Sequence, residues 1–110
     1  MTRGDIYRVD WEPSVAGEPA FHRPAVVLTN NDANAYLPHL VVAPITSNTK
    51  KLYPFDVLLP VECCGLEARS KVQLNYVRGL NRNRLTKYLG SIPQDVMLEL
   101  NASLRVHLEF

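Results

Sequence analysis

Apolar residues in this chain come in short runs, each stopped by proline, glycine or a polar cluster, until the C-terminal segment changes period. A chain punctuated in this way can form long helix only at its end, and elsewhere it reads as strands. Asp5 to Trp11 alternates, with Ile6 and Arg8 on one side and Tyr7, Val9 and Trp11 on the other. That spacing predicts a half-buried strand entered through Arg3-Gly4. Glu12 to Phe21 holds Pro13, Gly17 and Pro19 and reads as a turn-rich loop, long enough in a small domain to carry function. Arg23 to Thr29 is apolar on both faces, which predicts a central strand. Asn30 to Asn34 is a polar break with a helical turn capped by Asn or Asp. Leu40 to Ile45 and Pro54 to Leu59 read as further strands, separated by the polar loop Thr46 to Tyr53. Val61 to Arg69 crosses back, Ser70 to Leu74 and Val77 to Leu80 are two short strands or one bent one, and Lys87 to Ile92 is another.

After Ser91 the spacing becomes helical. Ser91 is expected to cap, Pro93 suits a first turn, and Gln94-Asp95 supply early acceptors and charge. Met97, Leu100, Leu104 and Leu108 then form one apolar stripe, read as core, with Asp95, Glu99 and Arg105 elsewhere. The expectation is one mainly β domain over 1–110 (β plus α), a small barrel or sandwich with a terminal helix laid on it. No repeat, low-complexity tract or linker divides it.

A formal net charge of +1 is too small for a generally basic nucleic-acid binder, so any such site must come from local placement of Lys and Arg. The basic residues bunch at Lys50-Lys51 and at Arg78, Arg82, Arg84 and Lys87; a bunch considered alone reads first as a solvated face. The chain's two cysteines are adjacent, Cys63-Cys64, and neighbours in extended backbone point to opposite sides, so a bridge between them is expected to be strained. With no Cys/His set at metal-ligand spacing, no apolar signal region behind the N-terminus and no membrane-length apolar run, the expectation is a reduced cytoplasmic protein without zinc.

Chemistry concentrates in His22-Arg23-Pro24, which opens the second strand. Pro24 fixes its own φ and holds Arg23 extended, so a permanently charged guanidinium stands at a stiff strand mouth, suited to a phosphate. Pro44-Ile45-Thr46-Ser47-Asn48 repeats the design, ending an apolar run in two hydroxyls and an amide. If the two strands pair, Arg23 and Thr46 face one site. Such residues match RNA phosphodiester chemistry, in which the ribose 2′-OH is the nucleophile and the enzyme supplies acid–base and electrostatic help without a metal. Plainer roles stand beside this: Arg23 as an ion-pair partner of Glu18, His22 as an exposed loop residue, Thr46 as a strand end. The cysteines lie in an apolar, acidic setting, Val61-Glu62-Cys63-Cys64, where nothing activates a thiol, and no P-loop or G-x-S-x-G occurs. His39 and His107 lack charged company and read as structural.

Taken together, Arg3-Gly4-Asp5-Ile6-Tyr7, Asp10, Pro13, Gly17-Glu18, His22 to Leu28, and Pro44-Ile45-Thr46-Ser47 resemble the opening motifs of the MazF/PemK toxin family. Tyr53-Pro54-Phe55, Gly65-Leu66, Ser70-Lys71-Val72, Arg84-Leu85 through Leu89-Gly90, and the terminal helix extend the likeness over nearly the whole chain. The resemblance implies a small SH3-like barrel with a C-terminal helix, a homodimer, and a metal-independent, cofactor-free, sequence-specific endoribonuclease acting on single-stranded RNA. It also implies a cognate antitoxin whose tail wraps the dimer. Carried over by position, it makes Arg23 catalytic, Thr46 the phosphate-positioning hydroxyl and His22 the nearest base. Glu18, Ser47 and Asn48 fall in the RNA-binding motifs, and Lys50 and Lys51 are placed to hold flanking phosphates. Where some relatives carry Arg or Asp, this chain has Gln73 and Asn75, whose amides suit base edges. The rival expectation is a non-enzymatic toxin like the gyrase poison CcdB, which binds a protein and cleaves nothing.

Overall fold

Residues 39–46 form the longest strand, and the sheet is organised on it. The computed structural model describes residues 1–11, 23–60 and 64–110. Their order is β1 (Asp5–Val9), β2 (Pro24–Val27), α1 (Asn31–Tyr36), β3 (His39–Thr46), β4 (Asp56–Leu59), β5 (Ser70–Gln73), β6 (Arg78–Asn81), β7 (Leu85–Ser91) and α2 (Gln94–Leu108). Single 3-10 turns, Leu74–Tyr76 and Arg82–Arg84, separate β5 from β6 and β6 from β7. The first turn settles the open alternative: the 70–80 segment is two strands.

The seven strands run β4-β5-β3-β2-β1-β7, with β6 also on β3. β3 pairs β2 and β6 along its first part, then β5 through Ile45 and Thr46. Pro44 stands where β3 changes partner from β6 to β5, a place where a missing N–H costs the ladder least. The sheet expected as a barrel is open, its end strands β4 and β7 not paired with each other among the described residues.

Two apolar clusters lie on opposite faces of the sheet. Val26, Ala43, Ile45, Val57, Leu59 and Val72 meet Ile92, Val96 and Leu100 of the C-terminal segment on one side. Val9, Trp11, Ala25, Val27, Leu40, Val42, Leu80 and Leu85 pack on the other. Successive residues of β2 alternate between the clusters, which is why the sequence there is apolar throughout and why β2 sits centrally between β1 and β3. β1, expected to be half-buried, instead sends Ile6 into the first cluster and Val9 into the second. Arg8 shares the Ile6 face but is exposed. Asn30 caps α1, its side chain accepting from the Ala33 N–H at 2.9 Å, as the polar break predicts.

Three expectations are corrected. Ser91 does not cap α2; its hydroxyl donates to Asp5 Oδ1 at 2.8 Å and lies 2.9 Å from the Tyr88 hydroxyl, so β7 and β1 hold it before the helix begins. Leu108 is exposed, because the helix outruns the core, while Val96, one turn before Leu100 on the same face, is buried. Cys64 is disulfide-bonded rather than a thiol. The backbone at Cys64 is not extended, its φ being +75°; Cys63 lies outside the described residues.

Candidate active site

Arg23 is fixed through its backbone. Its carbonyl accepts from the Val9 N–H at 3.1 Å and from the Trp11 indole N–H at 3.0 Å. With Pro24 locking the next φ, the main chain is immobilised while the guanidinium reaches solvent, uncommitted to any described residue. β2 and β3 pair with Ala25 opposite Pro44. Continuing that register by two residues sets Arg23 opposite Thr46.

Thr46 ends β3 and is 9% exposed. Its Oγ1 accepts from the Asn48 N–H at 3.2 Å, and Asn48 Oδ1 accepts from the Lys50 N–H at 3.3 Å. The two bonds curl 46–50 into a turn and leave the threonine hydroxyl proton free to donate. Behind this turn Lys71 Nζ donates to the Lys51 carbonyl at 2.7 Å and to Asp56 Oδ2 at 2.8 Å, while Asp56 also accepts from the Tyr53 N–H at 2.8 Å. A buried cation thus pins both ends of the 51–56 segment.

Arg23, Pro24, Thr46, Ser47 and Asn48 line one groove of about 660 Å³. It opens on the sheet face that α2 covers further along, and its floor includes Ile45, Leu66 and Leu89 from the edge of the first cluster. Of the expected site residues, the groove therefore gathers Arg23, Thr46, Ser47 and Asn48. Lys50, Lys51, Gln73 and Asn75 are not in its lining. Lys51 contributes its carbonyl to Lys71, Gln73 lies opposite Asp56 with a buried, unpartnered Oε1, and Asn75 is exposed in the 3-10 turn. His22 and Glu18 lie outside the described residues.

Sequence reasoning missed the charged and hydroxyl lining residues Arg8, Glu67, Ser70 and Lys87. Alternation did place Arg8 on the Ile6 face, but only pairing shows that this face becomes the groove. Lys87 was hidden in a basic bunch whose members prove unlike one another. Arg82 donates to the Leu37 carbonyl at 3.0 Å and the Asn34 carbonyl at 2.7 Å, Arg84 to the Asp10 carbonyl at 3.2 Å, and Arg78 lies over the Trp11 ring. Arg3 is spent likewise, on the Leu28 carbonyl and Asn101. Arg8, Arg23 and Lys87 remain as three cations of one groove with no acceptor among the described residues, facing a single described carboxylate, Glu67. A nearly neutral chain therefore carries a locally cationic cleft, fit for a polyanion. Among the described residues no His, Cys, Asp and Glu cluster could hold a metal ion.

Comparison with known proteins adds an independent line. Residues 2–108 match the family described as PemK-like, MazF-like toxin of type II toxin–antitoxin system. The chain is 37% identical over 114 residues to Endoribonuclease MazF9 of Mycobacterium tuberculosis, covering 99% of this chain and 97% of that protein. Its fold superposes on MazF of Deinococcus radiodurans with a TM-score of 0.85 at 29% identity, covering 100% and 97% of the two chains. A MazE–MazF structure from that organism gives 0.81 at 29% identity, covering 100% and 96%.

Proposed function

The chain belongs to the PemK-like, MazF-like family of type II toxins and is an endoribonuclease; from that premise we propose that it cuts single-stranded RNA by internal attack of the ribose 2′-OH, without a metal. The observation that carries this reading is the pairing of Arg23 with Thr46 in the groove, one an uncommitted guanidinium and the other a hydroxyl held by its own turn.

The nucleophile belongs to the substrate. A base takes the 2′-OH proton, the 2′-oxygen bonds to the adjacent phosphorus, and the bond from phosphorus to the 5′-oxygen breaks. That oxygen must leave protonated. The products are a 2′,3′-cyclic phosphate and a 5′-hydroxyl, with the proton removed at one oxygen returned at the other. Arg23 stabilises the charge that gathers on the phosphorane and delivers a proton to the leaving oxygen; Thr46 donates to a non-bridging oxygen and sets the phosphate in line. His22 is the base in this reading. A Mg²⁺ route needs carboxylates to hold the ion against the phosphate, and Glu67 is the one carboxylate in the described lining, which favours the metal-free course.

A cognate antitoxin and a homodimer belong to the same proposal. The first is supported by the family's toxin–antitoxin description and by the MazE–MazF structure of the Deinococcus relative. The second rests on the likeness to the family. No described helix is long and apolar enough to cross a membrane, and with RNA as substrate the proposed place of action is the cytoplasm. A toxin that only binds a protein target has no need of the Arg23–Thr46 pair. Mass spectrometry of RNA fragments made in EDTA tests the chemistry. Cyclic phosphate and 5′-hydroxyl ends are expected; 5′-phosphate ends, or cutting beside a 2′-deoxy residue, would make water the nucleophile.

A further inference from the structure

The three uncommitted cations of the groove form a row. β1 lies between β2 and β7, and at one level across them Arg8 is opposite Pro24 on one side and opposite Lys87 on the other. Residues directly opposite in antiparallel strands share a face, with neighbouring strands about 4.8 Å apart. Arg23 precedes β2 beside Pro24 and lines the same groove, so Arg23, Arg8 and Lys87 stand on three neighbouring segments of its wall. The β1–β7 register shifts between Ile6 and Tyr7 and again between Arg8 and Val9. These irregularities fall at Leu89 and Thr86 on either side of Lys87 and Tyr88, and both Lys87 and Leu89 line the groove. Neither the Arg8 guanidinium nor the Lys87 ammonium is in a hydrogen bond or ion pair with any described residue, although Arg3, Lys71, Arg82 and Arg84 are all spent on protein acceptors.

We propose that Arg8 and Lys87 extend the site into a phosphate track, in which single-stranded RNA crosses β2, β1 and β7 and the phosphates next to the scissile one lie on Arg8 and then Lys87. This rests on the reading of Arg23 as the residue at the scissile phosphate. The groove distinguishes RNA from an acidic peptide, the other polyanion such a row would attract. Glu67 stands in the same lining and repels a run of carboxylates, whereas it accepts hydrogen bonds from the amino groups of bases. Ile45, Leu66 and Leu89 give the floor apolar surface on which bases and riboses rest.

The test measures RNA affinity across a salt series, using a cleavage-resistant oligonucleotide with 2′-deoxyribose 5′ of the mapped cut. Arg8→Gln, Lys87→Gln and the double variant are compared with wild type, with Arg23→Ala, and with Arg105→Gln, which removes a charge on α2 outside the groove. On a single strand, each phosphate that a variant no longer neutralises lowers the slope of log affinity against log salt by about 0.7. A fall of that size is expected for each single variant, twice that for the double, and none for Arg105→Gln. In cleavage of the all-ribose RNA the penalty should fall on KM more than on kcat. An unchanged slope in the double variant, with Arg23→Ala impaired, overturns the track and leaves the cleavage site standing. A loss confined to kcat makes the pair catalytic or structural and also overturns it. RNA binding kept while binding of poly-glutamate is lost would reassign the row to peptide docking. A wild-type protein that neither binds nor cuts RNA removes the parent reading and the track together.

Discussion

Lys71 Nζ lies 2.8 Å from Asp56 Oδ2 in a pair whose side chains are only 8% and 1% exposed. The cation also holds the Lys51 carbonyl, and the carboxylate also takes the Tyr53 N–H. Removing one partner strands the other charge in a nearly dry site, which costs about 3–5 kcal/mol. Asp56→Leu and Lys71→Met should each lower stability by that order in urea unfolding, while the Lys71→Met, Asp56→Leu double variant should lose less than the sum. Additive losses in that cycle would mean that the two charges do not act as a pair.

Arg23→Ala should abolish cleavage without unfolding the chain, because the fold uses the Arg23 carbonyl and not its guanidinium. Loss of a preorganised donor to a developing negative charge costs about 10²–10³ in kcat, and a residue that also gives a proton should cost more. Arg23→Lys should recover little, since an ammonium lacks the planar fork. Circular dichroism melts and an RNA assay on the same samples decide this; wild-type turnover by the alanine variant would remove Arg23 from the mechanism.

Gly90→Ala should disturb the groove wall. A Cβ at Gly90 would stand 2.6 Å from the Cys64 carbonyl carbon, and one at Gly65 would stand 1.8 Å from the Leu89 carbonyl oxygen at a φ of +69°. The Cys64–Gly65 turn and the Leu89–Gly90 strand segment interlock only because both glycines lack a side chain. Both alanine variants should melt well below wild type, whereas Gly79→Ala, with nothing within 4 Å of its added carbon, should melt like it.

Leu100→Asp should unfold the protein, since Leu100 is 0% exposed and an unpaired buried carboxylate costs several kcal/mol, about the stability of a small domain. Leu108→Asp should be tolerated, because Leu108 already faces solvent. Thermal melts of the two variants side by side measure the difference.

Alkaline pH should weaken the fold partly through Tyr7. Burial raises its pKa above the ordinary value of 10.0, assisted by Asp5 and Tyr88 and opposed by Arg82. A raised folded-state pKa means that the neutral phenol is favoured by folding. Its contribution is complete below the unfolded value and is lost as pH rises through the folded one. Urea midpoints followed from neutral pH to above 10 should fall less steeply for Tyr7→Phe than for wild type; parallel curves would count against the effect.

Much of this protein was legible in short stretches of sequence. The alternation in β1, the two-faced apolar run of β2, the Asn30 cap and the change to helical spacing after Ser91 are set by neighbours within a few residues, and local periodicity reports them. The family motifs marked Arg23 and Thr46 for the same reason, each being stiffened by the proline near it. Tertiary structure decided what no local pattern encodes. Arg8 and Lys87 are 79 positions apart in the chain and meet only because β1 pairs with β7, while Arg82 and Arg84, close to Lys87 in sequence, are consumed by backbone carbonyls of distant segments. Ser91 gave up its capping role to Asp5 by the same pairing, and Leu108 fell outside the core because the helix is longer than the sheet face beneath it. A cation's role depends on whether folding hands it an acceptor, and the acceptors here come from parts of the chain that only long-range pairing brings near.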